Sequence, residues 1–428
     1  MNPVLEITGG RPLSGRVTPS GNKNAALPML AAALLTESEV VLENVPDIGD
    51  VRTLLLLLGE IGADVAWDKP ARTLRIHAAA LKSHCLPSAL CAEIRASILL
   101  AAPLLHRFGR AVMSPPGGDV IGRRRLDSHF CGLEALGAEI TENHVYDFAA
   151  PRGLHGADIF LPEASVTATE QLLMAACVAK GRTILRNAAS EPHVADLCEL
   201  LRKMGARIDG VGSNMLIIDG VDRLGGARHR IVADHTEVGS FLAMAAATGG
   251  GITVTGADPA HYTMTARAFR RLGIRLDFKG DEVSVAADQE RRVTADWGAG
   301  LPVIDDGPWP HFPSDLMSVM IVLATQVSGT VLFFEKMYES RMYFVDRLIA
   351  MGANAVICDP HRVVVSGPAR LHAIELNSPD IRAGMALVAA ALCAQGTSTI
   401  RNIQLVDRGY EALETKLATL GAQITRRE

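Results

Sequence analysis

Apolar residues recur in two helical patterns along the chain. One pattern is amphipathic, as in DVRTLLLLLGEIGA and HVADLCELLRKMGA, and it predicts helices with one face against a core. The other is apolar and alanine-rich nearly all round, as in AALPMLAAALLT and DLMSVMIVLAT, and it predicts helices in the interior. Short apolar strands such as VVLENV and GTVLFFE follow the helices of the second kind.

A short signature at the end of each amphipathic helix shows that the chain is repetitive. Sequences such as IGADV, LGAEI and MGARI place a glycine about every 70 residues, at Gly62, Gly137, Gly205, Gly273, Gly352 and Gly421. Glycine at this position is typical of a helix that ends in a left-handed residue. Six units of the form βαβαββ predict an α+β fold. Because one unit has too small a core to stand alone, we expect two globules of three units, about 200 residues each.

One stretch raises a membrane alternative, because Leu316 to Phe334 is 19 residues without a charge and is long enough to span a bilayer. The run TQVSGT at 325–330 interrupts it. A buried helix, a turn and a buried strand account for the stretch better.

Composition narrows the class of protein. The chain has 428 residues, of which 48% are hydrophobic and 4% aromatic, so a disordered chain or a fibre is excluded. With 42 Lys and Arg against 47 Asp and Glu, the formal net charge is -5. Neither a broad basic face nor an aromatic stacking platform for nucleic acid is expected.

The cysteines and histidines predict no metal site and no disulfide framework. The seven cysteines contain no C-x-x-C pair and the thirteen histidines no H-E-x-x-H motif. We expect His129, His193 and His235 to be packing, surface or substrate-contact residues. The start of the chain reads as a strand and a turn rather than a signal peptide, so we expect a reducing, cytoplasmic location.

Charged residues mark the starts of the apolar helices: Lys23, Arg95, Glu170, Glu237, Asp315 and Arg382. Cations at a helix N-terminus oppose the helix dipole, so stability does not favour them there. Together with backbone N–H groups they suit an anionic ligand such as a phosphate. The alternative is that each charge is paired with another side chain or solvated.

Further cations, Arg124, Arg341 and Arg408, lie where the other helices begin. The segment SPPGGDVIGRRR at 114–125 is rich in Gly and Pro and lacks periodicity. It predicts a mobile loop that covers a ligand, with an ordinary surface hairpin as the alternative.

Five motifs carry a family resemblance: PSGNKNAALP (19–28), PPGGDVIGRR (115–124), FPSDL (312–316), SPDIRAG (378–384) and DRGYE (407–411). Together they resemble the UDP-N-acetylglucosamine enolpyruvyl transferases, a branch of the enolpyruvyl transferase family. The resemblance implies a two-domain inside-out α/β barrel with three βαβαββ units per domain. The implied domains are 22–233, with the lid loop around Asp119 at 114–125, and 1–21 plus 234–428, with a substrate cleft between them.

The resemblance also implies a reaction. The enolpyruvyl group of phosphoenolpyruvate would pass to the 3-hydroxyl of UDP-N-acetylglucosamine, releasing phosphate by addition and elimination, as the first committed step of peptidoglycan synthesis. It implies no metal and no organic cofactor. The expected partners are these two small molecules, without nucleic acid or membrane insertion, and the oligomeric state stays open.

The resemblance assigns roles to individual residues. The expected catalytic residues are Asp119, Asp315, Lys23 and Arg408, with Asp315 accepting the proton of the sugar hydroxyl. The phosphoenolpyruvate set is Lys23, Asn24, Arg95, Arg124, Arg341, Asp380, Arg382 and Arg408, in which arginines would fix a compact polyanion and Asp380 would help to shape the arginine array. The UDP-N-acetylglucosamine set is Asn24, Arg95, Arg124, Asp127, His129, Ser165, Val166, Thr167 and Asp315.

One departure from the family lies in the lid, where a cysteine is usual and this chain has Asp119. An aspartate can still donate a proton to the methylene carbon if it is protonated in a desolvated site. The antibiotic fosfomycin alkylates the cysteine thiolate. Because a carboxylate is a far poorer nucleophile toward it, we predict insensitivity to fosfomycin.

Other departures lie on the nucleotide side: Arg125 for a proline, Glu163 for a lysine, Thr167 for a glycine and His235 for an arginine. They leave open an acceptor other than UDP-N-acetylglucosamine, such as UMP.

Two rival functions are weaker. The shikimate-pathway enolpyruvyl transferase is expected to begin with a G-S-K-S type motif, whereas this chain has SGNKN at 20–24. A non-catalytic paralogue that binds a nucleotide sugar would have no need of Asp315, Asp380 and the full arginine set. We interpret Trp309 as a packing residue of the loop that enters the Asp315 helix.

Overall fold

The computed structural model describes residues 3–119, 121–122, 124–298 and 300–427. Helices and runs of one to three strands are interspersed along the chain. The α-helices are α1 (Lys23–Ala32), α2 (Gly49–Glu60), α3 (Ser88–Cys91), α4 (Ala101–Phe108), α5 (Asp127–Ala135), α6 (Val166–Cys177), α7 (Pro192–Lys203), α8 (His235–Ala247), α9 (Thr263–Arg271), α10 (Ser314–Ala324), α11 (Val345–Ala350), α12 (Ile381–Cys393) and α13 (Leu413–Thr419). The 3-10 helices are Ala33–Leu35, Arg95–Leu100, Pro259–Tyr262 and Ile403–Arg408.

The strands are short, and most alternate buried with more exposed positions. They are β1 (Val4–Thr8), β2 (Ser14–Val17), β3 (Val40–Glu43), β4 (Asp64–Asp68), β5 (Thr73–His77), β6 (Arg110–Met113), β7 (Glu139–Asn143), β8 (Val145–Ala149), β9 (Asp158–Phe160), β10 (Arg182–Arg186), β11 (Arg207–Asp209), β12 (Met215–Asp219), β13 (Ala227–Arg230), β14 (Gly251–Val254), β15 (Leu276–Lys279), β16 (Glu282–Val285), β17 (Val303–Asp305), β18 (Gly329–Phe334), β19 (Ala355–Asp359), β20 (Arg362–Gly367), β21 (Glu375–Asn377), β22 (Thr397–Arg401) and β23 (Gln423–Arg427).

The chain forms two compact units. The Lys23 unit contains residues 21–119 and 124–232, and the Asp315 unit contains the described residues of 3–20, 121–122 and 233–427. The limits of the Lys23 unit at Gly21 and Val232 each lie one residue from the limits 22 and 233 predicted from the sequence. Residues 121–122 group with the Asp315 unit, although the sequence prediction gave the whole loop 114–125 to the other domain. The predicted cleft stays a prediction.

The Lys23 unit has three sheets in its described residues, with strand orders β13-β3-β5-β4, β6-β8-β7 and β11-β12-β10-β9. Two of them contain one parallel pair, β13 with β3 and β9 with β10. In the sheet β6-β8-β7, an isolated parallel bridge between Cys85 and Val112 of β6 replaces the parallel strand pair. Because β13 comes from the end of the unit and β3 from its start, this pairing closes the unit on itself.

The Asp315 unit repeats the same arrangement. Its sheets, within the described residues, have the orders β15-β16-β14-β2, β17-β18-β20-β19 and β21-β22-β1-β23. The strand β1 pairs antiparallel with both β22 and β23, so the beginning of the chain completes the last repeat.

The core of each unit surrounds its alanine-rich helices. In the Lys23 unit, α6 packs against α1 and α4, and in the Asp315 unit α8, α10 and α12 pack on one another. All thirteen residues of α8 are buried, which confirms the interior position predicted from its sequence. The mixed α/β architecture with repeated βαβαββ units confirms the predicted fold class.

The six repeat glycines have the predicted backbone conformation. Their φ angles are all positive, from 71° at Gly273 to 105° at Gly205. Each follows the end of an amphipathic helix, where a residue with a Cβ would be strained.

The uncharged stretch that raised a membrane alternative contains most of α10, a turn and β18, and most of it is buried. None of the helices in the described part of the chain has the length and apolarity that crossing a bilayer requires.

Candidate active site

Asp315 lies between two arginine side chains in the first turn of α10. Arg341 Nη2 donates to Asp315 Oδ1 at 3.1 Å, and Arg382 Nη2 donates to Asp315 Oδ2 at 2.6 Å. The Asp315 side chain is 28% exposed, whereas those of Arg341 and Arg382 are 3% and 7% exposed. The structure thus brings together three of the predicted site residues and leaves the carboxylate partly accessible.

Arg382 is also held on its other side. Its Nη1 donates to Tyr410 Oη at 2.9 Å, and Asp380 caps α12 by accepting the backbone N–H groups of Arg382 and Ala383 at 2.8 and 2.9 Å. Burial acts to lower the pKa of Arg382, but Asp315 and Tyr410 raise it, and the net shift is upward. Arg382 is therefore a fixed positive charge, and Asp380 contacts it through the backbone.

Arg341 has unused hydrogen-bonding capacity. Among the described residues, its Nε and Nη1 are buried and have no hydrogen-bond partner. Glu335 Oε2 is 3.8 Å from Nε, beyond hydrogen-bond distance. Buried guanidinium nitrogens without an acceptor cost free energy, and an oxyanion ligand would relieve that cost.

Arg408 lies at the end of the 3-10 helix Ile403–Arg408, which packs against α12. Its side chain is half-buried. The fold therefore places Arg408 on the element next to the helix that carries Arg382.

Glu237 has a structural partner. Lys416 Nζ donates to Glu237 Oε1 and to Ser20 Oγ, each at 2.6 Å, and the backbone N–H of Ser20 donates to Glu237 Oε2 at 2.6 Å. For this helix start, the alternative of a paired charge is confirmed.

Lys23 and Asn24 begin α1. Asn22 Oδ1 caps the helix by accepting the backbone N–H groups of Asn24 and Ala25 at 2.8 and 3.1 Å. Lys23 Nζ lies 2.8 Å from Asp50 Oδ2, and the two side chains are only 11% and 7% exposed. This pair offsets the unfavourable position of a cation at a helix start.

Arg95 begins the 3-10 helix Arg95–Leu100. Its Nη2 donates to the carbonyl oxygens of Arg124 and Arg125 at 2.8 and 3.0 Å. The Arg124 side chain is half-buried. Arg95 thus fixes the backbone of the segment in which nucleotide contacts are expected.

The loop before Arg124 runs close to Arg95. A Cβ at Gly117 would lie 1.7 Å from the Ala92 carbonyl oxygen, and one at Gly118, where φ is +112°, would lie 3.1 Å from Arg95 Cβ. Only glycine fits these positions. Asp119 follows directly and is half-buried; Val120 and Arg123 of the predicted lid lie outside the described residues.

His129 is buried in α5 with a partner for each ring nitrogen. Its Nδ1 is 2.5 Å from Gln171 Oε1, and its Nε2 is 3.0 Å from Thr167 Oγ1. Burial lowers the pKa of His129 to about 4, so the ring is neutral near pH 7. His129 therefore anchors Thr167, one of the residues that departs from the family pattern.

The segment 165–167 is the N-terminus of α6. Ser165 Oγ caps the helix by accepting the backbone N–H of Ala168 at 3.4 Å, and Val166 is its first residue. Helix starts of this kind suit a diphosphate. The prediction that Glu170 lies at the entrance of this helix is wrong, because α6 begins four residues earlier.

Arg125 pairs with Asp127. Its Nε and Nη2 donate to the two carboxylate oxygens at 2.8 and 2.7 Å, and the side chains are 63% and 48% exposed. This pair orients the Asp127 carboxylate, an expected nucleotide contact. Glu163, another departure, is exposed.

His235 begins α8 and is buried. Burial lowers its pKa, and Asp315 and Arg382 act on it with opposite signs. Its ring centroid is 6.1 Å from that of Trp309, in an edge-on arrangement. Trp309 thus packs on the ring of His235.

Sequence reasoning missed four residues that hold the predicted ones: Asp50, Gln171, Glu335 and Tyr410. Tyr410 lies in the DRGYE motif, so the motif could have identified it. The other three lie in segments whose local pattern gives no sign of their partners, since those partners are distant in sequence. No cluster of three or more potential metal ligands occurs in the described part of the chain.

Comparisons with known proteins show the family of the chain. The family model described as EPSP synthase (3-phosphoshikimate 1-carboxyvinyltransferase) matches residues 7–417. A relative from Bradyrhizobium diazoefficiens, named UDP-N-acetylglucosamine 1-carboxyvinyltransferase, is 53% identical and the match covers 100% of this chain and 99% of the relative. A relative of the same name from Treponema denticola is 51% identical over 99% of both chains.

Solved structures agree on the fold. The enolpyruvyl transferase NikO from Streptomyces tendae has a TM-score of 0.86, 26% identity and 99% coverage of both chains. An EPSP synthase from Acinetobacter baumannii has a TM-score of 0.75 at 18% identity, covering 100% of both chains, and supports the fold alone.

The family model over residues 7–417 and the full-length relatives show that the chain is an enolpyruvyl, or carboxyvinyl, transferase. The chain belongs to the EPSP synthase (3-phosphoshikimate 1-carboxyvinyltransferase) family, in the branch whose curated members are named UDP-N-acetylglucosamine 1-carboxyvinyltransferase.

Proposed function

We propose that this chain transfers the enolpyruvyl group of phosphoenolpyruvate to the 3-hydroxyl of UDP-N-acetylglucosamine and releases phosphate, the first committed step of peptidoglycan synthesis. About 50% identity over the full chain to relatives of that name supports the reaction and its acceptor. The structural observation that carries the proposal is Asp315 between Arg341 and Arg382.

We assign the arginines of the Asp315 cluster to phosphoenolpyruvate. The unpaired Nε and Nη1 of Arg341 suit the carboxylate or phosphate oxygens of this ligand. Arg382 and Arg408 would add positive charge that stabilises the anionic intermediate. From the Lys23 unit, we assign Lys23, Asn24, Arg95 and Arg124 to the same ligand.

The acceptor reacts by addition to phosphoenolpyruvate followed by elimination of phosphate. Asp315 takes the proton of the 3-hydroxyl as its oxygen bonds to C2 of phosphoenolpyruvate, and Asp119 donates a proton to C3. In the tetrahedral intermediate that results, the C2–O bond to phosphate breaks and the proton held by Asp315 goes to the departing phosphate. The ionised Asp119 carboxylate takes a proton back from C3 as the double bond re-forms. We assign Asp127, His129 and the α6 start at 165–167 to the nucleotide.

Phosphate release from phosphoenolpyruvate tests the proposal. UDP-N-acetylglucosamine, UMP and shikimate 3-phosphate are offered as separate acceptors. We expect release with UDP-N-acetylglucosamine alone, and a loss of roughly 10²–10⁴-fold in kcat for Asp315→Ala, the range for a general base.

Asp346→Ala is the matched control. Asp346 is also an acidic residue in the first turn of a helix of the Asp315 unit, but it is exposed, so activity should be unchanged. Release only with UMP would show that UMP, rather than UDP-N-acetylglucosamine, is the acceptor. If none of the three acceptors supports release, a protein that binds nucleotide sugars without catalysis is favoured.

A further inference from the structure

Glu335 is a buried carboxyl group directly after β18 that none of the reaction steps uses. Its exposure is 0%. Ser314 Oγ donates to its carboxyl group at 2.9 Å from Oε1 and 2.8 Å from Oε2. Ser314 is the first residue of α10 and directly precedes Asp315. Both oxygens of the Glu335 carboxyl group therefore contact the first residue of the helix that carries the proposed proton acceptor.

The same carboxyl group organises the segment that leads to Arg341. Its Oε1 accepts the backbone N–H groups of Met337 and Tyr338 at 3.2 and 3.1 Å. Its Oε2 is 3.8 Å from Arg341 Nε, and the Tyr338 ring lies 5.0 Å from the Arg341 guanidinium carbon. Glu335 thus holds the backbone of the turn 335–341 at residues 337 and 338, and its carboxyl group lies near the Arg341 guanidinium at the end of the turn.

A second carboxyl group lies behind the first. Asp306 is also 0% exposed, and its Oδ1 accepts the backbone N–H of Lys336 at 2.5 Å. Burial and then hydrogen bonding to Asp306 raise the pKa of Glu335 to about 9. Near pH 7 the Glu335 carboxyl group is therefore protonated and contributes hydrogen bonds rather than a charge.

We propose that Glu335 is a positioning residue for enolpyruvyl transfer, which holds the Arg341 guanidinium and the Asp315 carboxylate in the arrangement that binds phosphoenolpyruvate. The inference rests on the proposed function and deepens it. Without Glu335, the hydroxyl of Ser314 and two backbone N–H groups lose their acceptor. The turn that carries Arg341 is then free to move.

Two substitutions separate positioning from folding. Glu335→Gln keeps the length of the side chain, and its amide can accept from Ser314 and the turn and donate to Asp306, as a protonated carboxyl group does. Glu335→Ala removes all of these contacts. Glu375→Ala is the control, because Glu375 is an exposed glutamate of the same unit whose side chain pairs with exposed Arg401.

Steady-state kinetics and calorimetric binding of phosphoenolpyruvate are measured for all four proteins. We expect Glu335→Ala to lower kcat/KM for phosphoenolpyruvate by about tenfold to a hundredfold, as small displacements of positioning groups do. KM for UDP-N-acetylglucosamine should stay within twofold. Glu335→Gln should restore most of the loss, and Glu375→Ala should match the unsubstituted chain.

If Glu335→Ala does not fold, Ser314→Ala tests the same proposal, because it removes only the contact between Glu335 and α10. In this variant kcat/KM for phosphoenolpyruvate should again fall, while the affinity for the nucleotide sugar is kept. Phosphoenolpyruvate kinetics within twofold of the unsubstituted chain in Glu335→Ala, or equal losses for both substrates, would overturn the proposal. An inactive unsubstituted chain would instead contradict the proposed function, and the binding experiment would still test Glu335.

Discussion

At the scale of single residues, the charges predicted near helix starts differ in how fully they are paired. Lys23 and Glu237 each have a buried partner, in Asp50 and Lys416. Arg341 has buried nitrogens that remain unpaired within the described residues. A sequence pattern could predict charges near helix starts. It could not separate the fully paired ones from Arg341, which binds Asp315 but keeps two nitrogens without an acceptor in the described part of the chain, because the partners lie far away in sequence.

Asp119 gives a prediction at this scale. Fosfomycin should not inactivate the chain, because a carboxylate is a poor nucleophile toward the epoxide. Asp119→Cys should introduce time-dependent inactivation while Asp119→Ser should not. Residual activity after preincubation measures both.

Peptide mapping by mass spectrometry supplies the control, since the exposed Cys85, Cys131 and Cys358 could react elsewhere without loss of activity. Time-dependent inactivation of the unsubstituted chain with an adduct on Asp119 would contradict the prediction.

At the scale of elements, the sequence was most informative where one local rule decided the structure. The six repeat glycines all have positive φ, and the all-apolar helices are all interior, because hydrophobic period and helix termination are local properties. The start of α6 was predicted one turn too late, because the residues before Glu170 include Ser and Thr and do not show the apolar pattern of the helix. Partners such as Gln171 for His129 depend on how helices pack, which no local pattern encodes.

Close helix packing gives a second prediction. A Cβ at Gly132 of α5 would lie 2.2 Å from Leu172 Cδ1 of α6, whereas one at Gly59 of α2 would meet nothing within 4 Å. Leu172 is fully buried, so Gly132→Ala should destabilise the chain by about 1–3 kcal/mol through overpacking. The matched Gly59→Ala should stabilise it by about 0.5–1 kcal/mol through helix propensity.

Urea unfolding followed by circular dichroism compares the two variants with the unsubstituted chain. Equal shifts of the midpoint for both would show that the packing of α5 on α6 is looser than described.

At the scale of the whole molecule, repetition made the division into two globules predictable. Each compact unit has its own buried core and three sheets within its described residues. The chain enters the Lys23 unit at Gly21 and leaves it after Val232. The grouping of residues 121–122 with the Asp315 unit was not predictable, because Gly- and Pro-rich segments lack the periodicity that assigns a segment to a core.

The identity of the product tests the central claim most directly. The chain is incubated with phosphoenolpyruvate and UDP-N-acetylglucosamine, and the nucleotide sugar is isolated and analysed by mass spectrometry and NMR. We predict one product, in which the sugar oxygen at position 3 carries an enolpyruvyl ether and one phosphate is released per ether formed. Unchanged UDP-N-acetylglucosamine, or an ether at another hydroxyl, would contradict the account.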